Sequence, residues 1–117
     1  MGLIHSPSIV TDGLVLCLDA ANSRSYPKTG TVWTDLATSK VNGTLTNMTD
    51  NFSTDNAGSL TFDGSDDHVN CGDNFSFLDD PDGNEFTITS WINGETGADG
   101  TIFSKADSSN RMVQLFT

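Results

Sequence analysis

The residues best equipped for chemistry in this chain are its carboxylates, and they crowd into turns. Asp63, Asp66 and Asp67 fall around Gly64. Aspartate beside glycine is turn chemistry: Asp bonds the backbone two residues on, and Gly accepts positive φ. The same trio is a candidate calcium ligand set, since hard cations prefer carboxylate oxygen. A second acidic loop, Asp79 to Glu85, fails as a calcium loop. With Gly83 at the turn glycine, Leu78 and Thr89 fall where ligands belong. Glycoside hydrolysis needs two carboxyls about 5–9.5 Å apart. The only glutamates, Glu85 and Glu95, end one strand-like run and lie on the order of 25–30 Å apart. The two histidines, His5 and His68, lack zinc-ligand spacing. No Ser or Cys sits in a nucleophile-elbow pattern. The chain therefore reads as a non-enzyme, with no catalytic residues.

Binding is the chemistry that remains. A sugar-binding surface uses exposed aromatics with amides and carboxylates on a rim. Tyr26 and Trp91, with His68 and Asn70, are the candidate glycan-binding residues. For each aromatic the competing assignment is the core, where large rings dominate buried area.

Composition narrows the partners. The chain has 117 residues, a net charge of −11 and a hydrophobic content of 35%, which suits one turn-rich β domain better than a helical bundle. A polyanion would be repelled, so neither nucleic acid nor an anionic membrane is an expected partner. Calcium at an Asp-rich rim would offset part of the charge. The apolar run Leu14 to Leu18 is too short to span a membrane and follows Asp12 rather than a basic region, so it is also a poor secretory signal. Cys17 and Cys71 sit among apolar neighbours, which fits buried thiols; a disulfide requires their two strands to face each other.

These residues must be positioned by short strands. Residues 1–11 form a polar arm. Gly13 opens a first strand with Leu14, Leu16 and Leu18 on one face. Val32 to Leu36 is an apolar cluster around Trp33. Asn42-Gly43 signals a turn before a short strand at Thr44 to Thr46. Leu60-Thr61-Phe62, the Asp63 to Asp66 turn and Asp67 to Cys71 read as a hairpin, with His68 and Asn70 pointing away from Val69 and Cys71. Asp79 to Gly83 is a Pro-Asp-Gly turn. Phe86 to Ile92 has the cleanest period-2 alternation, with Phe86, Ile88 and Ile92 opposite Trp91. Ile102 to Ser104 and Met112 to Phe116 complete the series. The expected core is Leu14, Leu16, Leu18, Trp33, Leu45, Leu60, Phe62, Val69, Phe86, Ile88 and Ile92. Short strands at this spacing predict an all-β sandwich or barrel.

Taken in order, several stretches resemble one family. They are Thr11 to Asn22, Val32-Trp33-Thr34-Asp35-Leu36, Asn42-Gly43-Thr44-Leu45, Leu60 to Val69, Phe86 to Ile92 and Gly100 to Lys105. Together they look like the N-terminal half of a laminin-G-like domain of the concanavalin A-like lectin/glucanase superfamily, in the version found in virion structural and tail proteins of tailed phages. The resemblance implies an antiparallel jelly-roll sandwich. Residues 12–117 would supply about half of a full-length one, a short or incomplete version. The last segment, Met112 to Phe116, ends one residue before Thr117, so the expected remainder comes from another chain, or the chain is a compact variant. Met112, Val113, Leu115 and Phe116, with the arm, are the interface candidates, because an unpaired edge and uncovered apolar face require a partner. The implied function is a non-catalytic virion structural protein on the particle surface, as a capsid decoration or tail- or fibre-associated module. It would act through packing against itself, as a homo-oligomer, or against other virion proteins. The alternative is a glycan-binding adhesin that grips a host surface. Asp63, Asp66 and Asp67 resemble calcium positions in some relatives. The enzymatic branch's paired glutamates on one strand have no counterpart here. The family's glycine- and asparagine-rich turn is replaced by Ala37 to Val41, and His68 stands where tyrosine is common.

Overall fold

The computed structural model describes residues 9–79, 85–94, 100–106 and 111–116. They belong to two compact units, Met1–Gly72 and Asp73–Thr117. All ladders are antiparallel, and among the described residues the only helical turns are short 3-10 segments at Asp55–Ala57 and Ser76–Asp79. The all-β expectation holds.

In the first unit, β1 (Val32–Trp33), β2 (Gly43–Thr46) and β5 (His68–Asn70) form a sheet with β2 in the middle. β2 alternates as a half-buried strand should: Gly43 and Leu45 are buried while Thr44 faces solvent. Val69 lies opposite Leu45, and His68 and Asn70 face out on either side of it. β3 (Phe52–Ser53) and β4 (Ser59–Leu60) form a separate ribbon. The core is small. Tyr26, Leu45 and Met48 are buried together, with Trp33, Phe52, Leu60 and Val69 packed partly against them.

In the first unit, four expectations about strands and core need correction. The run Leu14 to Leu18 is in no strand. Its backbone is held by side chains and single bonds instead: Cys17 N donates to Asp35 Oδ1 at 2.9 Å, and Leu36 N donates to Cys17 O at 2.9 Å. Leu14, Leu16 and Leu18 are half-buried. Asn42-Gly43 is not the turn; the left-handed residue is Lys40 (φ 58°), and Gly43 already belongs to β2. The proposed hairpin across Asp63 to Asp66 is a turn without a ladder. Its first arm pairs β4 with β3 and its second pairs β5 with β2, because Asn51 takes Thr61 as backbone partner at 2.8 Å. Finally, Phe62 (47% exposed) lies outside the core.

In the second unit, β6 (Thr101–Ala106) and β7 (Arg111–Phe116) form a hairpin with register shifts after Thr101 and at Lys105. Lys105 Nζ pairs with Asp73 Oδ1 at 2.7 Å. The alternating segment 86–92 is in no strand. Phe86 and Ile92, expected in the core, are exposed, as is Trp91, and Ile88 is half-buried. Period-2 alternation reports which surfaces are apolar; it cannot supply a ladder partner.

Candidate functional site

The Asp63 to Asp67 turn is the place where the structure gathers candidate ligands. Gly64 adopts φ 75°, and Ser65 N donates to Asp63 Oδ1 at 2.8 Å, the side-chain-closed turn typical of Asp-Gly. The chain then doubles back so that Asp67 Oδ2 accepts from Asp63 N at 3.1 Å and from Asn51 Nδ2 at 2.9 Å. Asn51 Nδ2 also reaches Thr61 O at 2.6 Å. Asp66 contributes its carbonyl, which accepts from Asn47 Nδ2 at 3.3 Å and from His68 Nδ1 at 2.9 Å. The result brings carboxylate oxygens of Asp63, Asp66 and Asp67 within 4.8 Å of one another. Oxygens sharing one calcium ion lie at most about 5 Å apart, twice the usual 2.3–2.6 Å bond. The spacing would admit one hard cation. Asp63 and Asp66 are exposed and Asp67 half-buried.

The glycan-binding candidates are placed differently. Tyr26 is 4% exposed, so it is a core residue and offers no open face for a sugar. Its ring lies 6.1 Å from Phe52, and its hydroxyl donates to Gly30 O at 2.8 Å. It forms one wall of a shallow cleft of about 270 Å³ between the 28–31 and 48–52 loops, below the usual range for small-molecule sites. Lys28 sits over the Phe52 ring at 5.7 Å. His68 and Asn70 share the exposed face of β5, but Asn70 Oδ1 is occupied by Gly72 N at 2.7 Å. Trp91 is fully exposed and belongs to the second unit. The interface candidates Met112, Val113, Leu115 and Phe116 lie in β7, where Val113, Leu115 and Phe116 pair with β6 and Met112 falls at the register shift; their side chains, residues 1–8 of the arm, Glu95 and the 80–84 turn lie outside the described residues.

Sequence reasoning missed the best-built polar site. Asp35 is 1% exposed. Its Oδ1 accepts from Cys17 N at 2.9 Å and Ala37 N at 2.8 Å; its Oδ2 accepts from Val41 N and Ser39 Oγ, both at 3.0 Å. Ser39 Oγ also contacts Val15 O and has one proton to share between the two. Asp35 N donates to Asn42 Oδ1 at 3.0 Å. Burial alone pushes this carboxyl up, but the four hydrogen bonds outweigh it and hold the group below the ordinary carboxylate range. Ser25, fully buried, repeats the device by accepting from Asp19 N and donating to Thr34 O. Both are structural staples for chain that lacks a ladder. The available signal was an aspartate inside the apolar cluster Val32 to Leu36. Cys17 and Cys71 are thiols rather than a disulfide. Burial, followed by nearby carboxylate charge, pushes both thiols up.

No protein-family model, no curated protein and no solved structure matches this chain.

Proposed function

We propose that this chain is a non-catalytic virion structural protein, a short or incomplete laminin-G-like jelly-roll sandwich on the particle surface that works by packing against copies of itself or other virion proteins. One observation carries the reading: large apolar side chains stand uncovered. Phe86, Trp91 and Ile92 cluster within seven residues and are 46%, 103% and 56% exposed. Scattered surface apolars need no explanation, but a run of them does. The buried apolar cluster of the first unit is small, and small cores gain much of their stability by association. β6 and β7 form a two-stranded ribbon, the kind of element that needs further covering to persist.

Sedimentation velocity on the purified chain tests this. An assembly larger than one chain that dissociates on Trp91→Asp plus Phe86→Ser supports packing as the function; a monomer across the accessible concentration range overturns packing against copies of itself. The exposed Trp91 favours a second reading, a host-surface glycan adhesin, because an open indole is the usual sugar-stacking platform. Glycan-array binding lost in Trp91→Ala selects that reading. Calcium at Asp63, Asp66 and Asp67 is compatible with either; calorimetric titration of calcium into the chain and into Asp66→Asn reads it directly.

A further inference from the structure

The chain contains two Asn-Gly pairs, Asn42-Gly43 and Asn93-Gly94. An asparagine followed by glycine is open to attack by the next backbone nitrogen. Glycine places no side chain over that N–H and lets the backbone swing into the reactive arrangement. Both asparagines are exposed, but the structure holds them differently. Asn42 is held. Its Oδ1 accepts from Asp35 N at 3.0 Å and its own N donates to Lys40 O at 3.1 Å. Gly43 is buried and pairs with Trp33 across the β1–β2 ladder. Val69 and Leu18 crowd the space above it. Asn93 and Gly94 are exposed and in no strand. Nothing lies within 4 Å of where a Cβ on Gly94 would be. Among the described residues, no hydrogen bond holds the Asn93 side chain or the Gly94 N–H.

We propose that Asn93 is a site of spontaneous covalent modification and that the fold protects Asn42 from the same reaction. Gly94 N attacks Asn93 Cγ; the new N–C bond forms as the Cγ–Nδ2 bond breaks, and the Gly94 proton leaves with the amide nitrogen as ammonia. The product is a five-membered cyclic imide. Water then adds to one of its two carbonyls and opens the ring, giving aspartate or its β-linked isomer. No electrons are exchanged; the balance is one water in and one ammonia out. The product carries a new carboxylate two residues from Trp91 and makes the net charge of −11 more negative by one. The β-linked form also lengthens the main chain by one methylene.

The full chain is incubated in warm, mildly alkaline buffer and digested. Peptide mass spectrometry then follows the amide-to-acid mass gain at both sites, and isoaspartyl methylation marks the rearranged product. In the folded chain, Asn93 converts faster than Asn42 by about tenfold or more, because each hydrogen bond broken to release Asn42 costs roughly a factor of five. In urea the two rates converge. Gly94→Ala, which changes an exposed position with open space around it, slows Asn93 and leaves Asn42 unchanged. A folded-state ratio under about tenfold, or Asn42 converting first, overturns the proposal, since it would mean that those hydrogen bonds give no protection. A ratio that persists in urea overturns the protection assigned to the fold.

Discussion

Replacing Asp35 with asparagine tests the staple at its centre. The substitution conserves shape but exchanges an acceptor-only group for one that must also donate. Four donors converge on the carboxylate: the N–H groups of Cys17, Ala37 and Val41 and the Ser39 hydroxyl. The new amide oxygen can serve two of them. The amide NH2 then points at Val41 N–H and Ser39. Ser39 can rotate and accept; Val41 N–H cannot, and is left unsatisfied at about 1–3 kcal/mol. The remaining bonds lose their charge assistance, roughly 1 kcal/mol each. A total of about 3–5 kcal/mol follows, against the roughly 5–15 kcal/mol that holds a domain together. Urea unfolding followed by tryptophan fluorescence reads this as a midpoint lowered by about 1 M or more, given the usual m-values of about 1–3 kcal/mol/M. The pH dependence supplies a second, independent reading. The folded-state pKa of Asp35 lies below its unfolded value, so its contribution is complete above the ordinary aspartate pKa of about 3.9 and is lost as pH falls through the lower folded value. The gap between wild type and Asp35→Asn therefore narrows in acid. A midpoint for Asp35→Asn within the error of wild type, or a gap that widens as pH falls, would refute the staple.

Three further outcomes are expected. Gly58 has φ 135°, and a Cβ there would meet Ala21 Cα at 2.8 Å; Gly58→Ala costs about 2–4 kcal/mol by combining backbone strain with a backbone clash, read as a lowered urea midpoint. Gly43→Ala puts a methyl 2.5 Å from Val69 Cγ1 and costs about 1–3 kcal/mol, but Val69→Ala in the same chain restores part of the loss, so a double-mutant cycle shows coupling between the two sites. Cys17 and Cys71, pushed up first by burial and then by carboxylate charge, react with a disulfide reagent more slowly than in the urea-unfolded chain near neutral pH, and the folded rate climbs as pH rises.

Local chemistry was legible where it is complete in itself. Asp63-Gly64 closes its own turn through the Asp63 carboxylate and the positive φ of Gly64, so no distant residue had to be known. The alternation around Leu45 and Val69 likewise identified core-facing positions. Pairing was not legible. The arms on either side of the Asp63 to Asp66 turn resembled one hairpin, yet each found another partner, because alternation marks a face and leaves the neighbouring strand open. Tyr26 shows the same limit: its type suits a sugar platform or a core equally, and its contact with Phe52 decided for the core.

What the amino-acid sequence determined by itself is the class of the molecule: short apolar alternations broken by Asp, Asn and Gly, in a chain of net charge −11. The tertiary structure alone decided how 14–18 is secured, that Asp35 is buried, and that Asp63, Asp66 and Asp67 share one small space. The reason is physical. Turn and strand preferences act over a few neighbouring residues, whereas Cys17 meeting Asp35, or Asn51 meeting Asp67, joins positions 16 or more residues apart, and such meetings depend on the energy of the whole packed arrangement.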